Sequence, residues 1–228
     1  MELGFGPLYS EEAVGRGITA DLADLKLSSM PHRLMPRRAK KVVEEIASRD
    51  RDLYAAFDRV GFMHDFGEDA TGIHCKYVRR GAGYYIDVGA SDLIADGRIG
   101  LRSQVEVARL SESAVVLSDG STLPADLVVY ATGFGSMNGW AAELISQQVA
   151  DKVGKCWGVG SATAQDPGPW EGELRNMWKP TQQEALWFHG GNLQQSRFYS
   201  LLLALQIKAR AAGLETPVYG LQDVHHSG

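Results

Sequence analysis

DLVVYATGFGS, residues 126–136, runs from an apolar stretch straight into small residues and glycines. Leu127, Val128, Val129 and Tyr130 show no alternation, the pattern of a strand buried on both faces, and such strands occur chiefly in sheets covered by helices. The run sets the expected fold class, α/β. At its end Ala131, Thr132 and Gly133 bring little or no side chain to what would be the carboxyl edge of a sheet, where open α/β sheets bind their ligands. Glycine there takes positive φ or lets a flat or charged ligand touch the peptide plane. An ordinary tight turn explains the same letters equally well.

The neighbouring sequence reads as strands on one side and a helix on the other. GYYIDVGAS, RIGLRSQVEVARL and SAVVLSDGSTLPADLVVY, spanning residues 83–130, are successive strand candidates, with Asp119-Gly120 as a hairpin signal. Asn138 to Ala150 is expected to be helical, followed by a long Gly, Pro and Trp-rich connection. EALWFHGG ends as a last buried strand. SRFYSLLLALQIKARAAGL is a last helix with Phe198, Leu201, Leu202, Leu205 and Ala209 on one face and Gly213 closing it. Upstream, Val42, Val43, Ile46, Leu53, Ala56, Phe57 and Val60 recur at helical spacing from Ala39 to Val60, with Gly61 as the helix end. Residues 1–36 have weak periodicity and read as irregular connections or one short helix.

Composition bounds what such a chain can do. With 228 residues, 44% of them hydrophobic and 9% aromatic, it can fill a real core. A net charge of −5 argues against a nucleic-acid partner, which needs a surplus of Lys and Arg on one face. The local basic run holds Arg33, Arg37, Arg38, Lys40 and Lys41, but acids follow at once in VVEEIASRDRD, as in a solvated helix start. Cys75 and Cys156 lie far apart in no CxxC motif, and read as buried structural thiols of a reducing compartment. No apolar stretch has signal-peptide or membrane-span length, so a cytoplasmic protein without a membrane partner is expected.

A second stretch repeats the motif of the first. LWFHGGNLQQSRFYS, residues 186–200, passes from an apolar run through two glycines to polar residues at the mouth of an apolar helix. Amides at a helix amino terminus carry partial positive charge and favour phosphate or an electron-rich carbonyl. Asn192 is the expected cap, with Ser196 as the alternative, and Gln194, Gln195 and Arg197 are then spare donors for a ligand. The competing reading is a plain capped helix.

Three weaker constellations favour ordinary structure. His64, Asp65, Glu68, Asp69, His74 and Cys75 cluster, but their spacing matches no established metal motif, so a polar loop is expected and no metal. Trp157, Trp170, Trp178 and Trp187 sit in or beside the long connection and read as packing that anchors it, ahead of a substrate lid. His189 reads as a hydrogen-bonded core histidine, ahead of one facing a ligand. His225 and His226 belong to a polar tail.

PADLVVYATGFG resembles the ATG strand of the flavin-containing monooxygenases and related class B flavoprotein monooxygenases. Together with GYYIDVGASDLIADGRI and LWFHGGNLQQSRFYSLLLALQIKA it is similar to the carboxyl-terminal part of the bacterial members, over roughly residues 50 to 220. The resemblance implies an FAD- and NADPH-dependent oxidoreductase, a monooxygenase that transfers one oxygen atom from a flavin hydroperoxide to a small organic substrate. It implies that Ala131, Thr132, Gly133 and Phe134 approach the FAD, and that Gly191, Asn192, Leu193 and Gln194 meet its flavin end. It singles out no acid, base or nucleophile.

The chain departs from that family where the pyrophosphates should sit. Neither GxGxxG fingerprint is present; GVGSAT has Thr163, and GFGSMN has Asn138, in place of the third glycine. The expectation is a carboxyl-terminal fragment: residues 1–82 as a helical and irregular connector from the end of the NADP-domain region, and 83–228 as the carboxyl-terminal part of the Rossmann-like FAD/NAD(P)-binding fold with a β-hairpin layer. The alternative is a non-catalytic remnant or interaction module that has lost its cofactor.

Overall fold

The structure, a computed structural model, describes residues 6–67, 69–81, 86–133, 135–158 and 174–218. The expectations placed on Glu68, Tyr84, Tyr85, Phe134, Gly160, Thr163, Trp170, His225 and His226, and on the side chain of Arg33, lie outside what is described. The chain divides into two compact units, one made of Met1–Glu44, Phe66–Tyr84 and Phe134–Gly228, the other of Glu45–Asp65 and Tyr85–Gly133.

The amino-terminal segment holds three helices where irregular connections or one short helix were expected. It forms α1 (Gly6–Tyr9), α2 (Glu11–Gly15) and α3 (Ala20–Ser28), then a single 3-10 turn at His32–Leu34. Weak hydrophobic periodicity hid these helices, but their caps are ordinary. Ser10 accepts from the Ala13 amide and Thr19 from the Leu22 amide, which satisfies donors that a helix start leaves unpaired. Ala13 and Ala23 are fully buried, so small side chains replace a broad apolar stripe.

The helical spacing from Ala39 to Val60 gives two helices, α4 (Met35–Arg49) and α5 (Arg51–Val60). Val43 and Phe57 are buried as their spacing predicts, and Arg37, Arg38, Lys40 and Lys41 are solvated. Gly61 closes α5 in the left-handed region at φ 73°, with its amide on the Asp58 carbonyl and the Phe62 amide on that of Phe57. Next comes α6 (Gly72–Arg80), whose first residue has φ 63° and faces Val43: a Cβ added to Gly72 would lie 2.6 Å from Val43 Cγ2. Alanine at that φ costs about 1–2 kcal/mol, and the collision adds about 1 kcal/mol. Gly72→Ala should therefore lose about 2 kcal/mol of unfolding free energy in urea. Combined with Val43→Ala, the loss should be smaller than the sum of the single changes; strict additivity would refute the contact.

The second unit carries α7 (Ala90–Ala95) and an antiparallel sheet of β1 (Val107–Leu110), β2 (Ala114–Leu117) and β3 (Thr122–Pro124) in that spatial order. The Asp119-Gly120 hairpin forms as expected. Gly120 sits at φ 84°, and Asp119 Oδ1 accepts from both the amide and the hydroxyl of Ser121. Among the described residues of this unit Leu117 and Phe57 are the buried apolar ones, and Phe57 stacks on Phe62 at 4.4 Å.

The deciding stretch does not behave as expected. Residues 126–133 form no strand, and Leu127, Val129 and Tyr130 are 80%, 76% and 66% exposed. A strand buried on both faces needs neighbours and two covering layers, whereas this sheet ends at β3, from which the Ala125 amide makes a last bond to Ser113 O. The expected strand over residues 83–91 is likewise absent among its described residues, which enter α7, and that over 98–110 shrinks to β1. The fold combines helices with a small sheet and is α/β in that broad sense.

The first unit continues with α8 (Asn138–Leu144), α9 (Gln147–Val153) and α10 (Leu193–Ala211). The single helix expected from Asn138 breaks at Ser146, which caps α9 by accepting from the Val149 amide. Val78, Ala141, Ala150, Val153, Cys156, Leu174, Met177, Trp178 and Phe188 make the core. The strand expected at EALWFHGG is reduced to a single bridge between Met177 and Phe188. Helix α10 ends at Gly213 as predicted, but Leu201 and Leu205 are each 66% exposed, because α10 packs against α3 through a different side.

Candidate functional site

The side of α10 that does pack begins with its amino end. Asn192 Oδ1 accepts from the Gln195 amide at 2.9 Å, and Gln195 Oε1 accepts from the Asn192 amide at 3.3 Å, a reciprocal capping box. Tyr77 on α6 locks it, its hydroxyl accepting from the Asn192 amide at 2.8 Å and donating to Gln195 Oε1 at 2.6 Å. Trp157 Nε1 in turn donates to Tyr77 O at 2.7 Å. Asn192 thus caps the helix as expected.

The residues read as spare donors are engaged within the protein. Gln195 belongs to the cap, Gln194 Nε2 donates to Ser28 Oγ at 3.1 Å, and Arg197 makes a two-pronged pair with Asp24 at 2.6 and 2.7 Å. The spacing Asn-x-x-Gln was the signal for the first of these; nothing local signals the other two, whose partners lie far away in sequence. What stays open at this helix end is backbone. The amides of Leu193 and Gln194 have no protein acceptor among the described residues, and the Leu193 side chain is 89% exposed.

The double glycine before α10 splits into two different roles. Gly191 has φ 87°, and a Cβ there would lie 2.5 Å from Gln195 Oε1 and 3.2 Å from Trp178 Cζ2. Gly190 would make only ordinary contacts, with Met137 and Met177 at 3.5 and 3.6 Å. Around this turn Trp178 stacks on Tyr199 at 4.2 Å and meets Trp157 edge-on at 6.1 Å, so Trp157 and Trp178 serve packing, as read from the sequence. His189, just before the glycines, is exposed and not a core histidine, because the chain leaves the core after Phe188.

Ala131, Thr132 and Gly133 belong to the second unit, whereas Gly191, Asn192, Leu193 and Gln194 belong to the first. All three of the former are exposed. Gly133 is at φ 85° with no atom within 4 Å of a built Cβ, and Gly135 is equally open. Positive φ accounts for Gly133, and no described protein group requires Gly135 to be small.

Of the clustered residues, His74 and Cys75 lie on α6 and not in the polar loop expected, and His64 and Asp69 have different partners. His64 pairs with Asp58 at 2.9 Å and lies over the Tyr54 ring, while Asp69 accepts from Arg79 and from the Thr71 hydroxyl. The Arg79 guanidinium, more than the Thr71 bonds, holds the Asp69 carboxyl down at about 2. Burial pulls the His74 imidazole below its ordinary range. No group of three potential metal ligands occurs among the described residues. Cys75 and Cys156 are free and buried, as read from the sequence, and burial pushes the Cys156 thiol up to about 12, far from a reactive thiolate. Among the described residues no helix is long and apolar enough to cross a membrane.

No protein-family model matches the chain, and none of the curated proteins compared with it matches either.

Proposed function

We propose that the chain is the carboxyl-terminal part of an FAD- and NADPH-dependent oxidoreductase, of Rossmann-like fold in its complete form, that oxygenates a small organic substrate. The observation that carries this reading is the amino end of α10, where the amides of Leu193 and Gln194 stay open behind a side-chain-free turn at Gly190 and Gly191. Two such amides, at the positive end of a 19-residue helix, suit an electron-rich carbonyl of a flavin ring. Bound FAD would supply the redox and oxygen chemistry. The protein's own part would be to donate from Leu193 N and Gln194 N, with Tyr77 and Gln195 fixing the direction of the helix end. Ala131, Thr132, Gly133 and Phe134 are proposed as cofactor-binding on the family resemblance alone.

The ring end of FAD fits these residues; its pyrophosphate has no seat, since neither glycine fingerprint is present. That absence should cost several kcal/mol, and each 1.4 kcal/mol is about a tenfold loss of affinity. The purified chain is therefore expected to be colourless and to quench the fluorescence of added FAD only weakly. FMN, which lacks the adenosine half, should bind about as well. Leu193→Pro removes one open amide at a position where proline suits a helix, since Asn192 is already extended at φ −74° and ψ 171°. It should weaken flavin binding about tenfold without lowering the unfolding midpoint. Absence of any quenching, or quenching unchanged in Leu193→Pro, would end the flavin reading.

The second reading, a cofactor-free interaction module, is favoured by the bare apolar residues Leu127, Val129 and Tyr130. It predicts no flavin binding at all.

A further inference from the structure

At the opposite end of α10 lies an open surface groove of about 540 Å³, within the first unit, lined among others by Thr181, Glu184, Arg210, Leu214, Glu215 and Val218. That volume falls inside the range of about 300–1,000 Å³ usual for small-molecule sites. Its cation is oriented before any ligand arrives. The Arg210 guanidinium lies 5.1 Å from the centre of the Trp187 ring, and its Nε donates to Thr216 Oγ1 at 2.7 Å. With Nε taken, both terminal amino groups remain and have no protein acceptor among the described residues. A guanidinium held by its face and its Nε offers those two groups as a planar fork, the geometry that matches a carboxylate end-on.

Two acids share the lining with this single cation. Glu184 and Glu215 make no ion pair among the described residues, so the three charged groups sum to −1. A phosphate or dicarboxylate would meet net repulsion there, whereas a ligand bearing one carboxylate and one ammonium would satisfy both signs. The end of α10 does not supply the cation's partner. The carbonyls of Lys208, Ala209 and Arg210 already accept from the amides of residues 212–214. Leu214 and Val218, both exposed, give the groove an apolar side.

We propose that this open groove binds a small zwitterion of the α-amino acid class with an apolar side chain, its carboxylate on Arg210 and its ammonium toward Glu184 and Glu215. The site is distinct from the amino end of α10 and does not depend on the flavin reading.

The test is calorimetric titration of the full chain with L-leucine, isocaproate, isoamylamine and inorganic phosphate. Isocaproate lacks the ammonium and isoamylamine lacks the carboxylate. L-leucine should bind at least about tenfold tighter than either, with phosphate weakest. Arg210→Lys, which keeps the charge but loses the fork, should weaken L-leucine about tenfold. Because Arg210 also contacts Trp187 and Thr216, the exposed pair Glu184→Gln and Glu215→Gln provides a change that leaves the fold intact. It should bring L-leucine down to the affinity of isocaproate. L-leucine binding no tighter than isocaproate, phosphate binding tightest, or no binding by any of the four would each overturn the proposal.

Discussion

Gly191→Ala is expected to lower the unfolding free energy by about 3 kcal/mol, a large share of the 5–15 kcal/mol that holds an ordinary domain together. Three contributions add. A non-glycine residue at φ 87° is strained by about 1–2 kcal/mol. The new methyl meets Gln195 Oε1, so the capping box and the Tyr77 to Gln195 bond must open, costing about 1 kcal/mol. Contact with the Trp178 ring, itself stacked on Tyr199, leaves that side no room to yield. Gly190→Ala is the internal control, since its methyl would sit at ordinary distances from Met137 and Met177. A loss under about 0.5 kcal/mol is expected there. Urea unfolding of the two variants checks both numbers, and equal losses would mean that the turn before α10 is not the constrained element described.

Asp24→Asn is expected to cost about 2 kcal/mol at neutral pH. Asp24 is only 2% exposed and receives three short bonds, two from Arg197 and one from the Tyr9 hydroxyl at 2.7 Å, which tie α3 and the segment before it to α10. Hydrogen bonds to a charged group are worth about 1.5–3 kcal/mol, and the half-exposed Arg197 can recover water when the pair is broken, which keeps the loss toward the lower end. The Arg197 bonds, first, and the Tyr9 bond hold the Asp24 carboxyl below its ordinary value of 3.8, against the opposing effect of burial. A lowered carboxyl contributes its stability above the ordinary value and loses it as pH falls through the folded one. The stability gap between the natural protein and Asp24→Asn should therefore be constant down to about pH 4 and close below it. Asp69, held at about 2, gives both proteins a shared acid loss that the difference cancels. A gap that stays open in strong acid would show that the Asp24 charge is not what joins α3 to α10.

Both effects bear on how far the sequence could be read. Asn192 as a cap, Gly61 and Gly213 as helix ends and Asp119-Gly120 as a turn were all legible, because each is decided by residues within four positions of it. Gln195 was legible in principle and misread, since Asn-x-x-Gln is a capping pattern before it is a pair of donors. Tyr77 was not legible at all: its bonds reach Gln195, 118 positions away, from a helix that begins inside the His64 to Cys75 cluster, where a polar loop was expected. Asp24 and Arg197, 173 positions apart, show the same limit. The largest misreading concerns Leu127 to Tyr130. An unbroken apolar run reports what a segment would gain by burial, and here no described strand pairs with it and Leu127, Val129 and Tyr130 stay exposed.

By itself the sequence determined the local conformations: helical chain from Ala39 to Val60, the hairpin, and the capped start and glycine end of α10. It did so because caps, turns and helical stripes are set by backbone sterics and hydrogen bonds that close within a turn of chain. The tertiary structure alone decided which side of α10 is covered, which polar residues are consumed as struts and which amides stay open. Those outcomes depend on partners brought together across more than a hundred residues, and a free energy of burial or pairing exists only once such a partner has arrived.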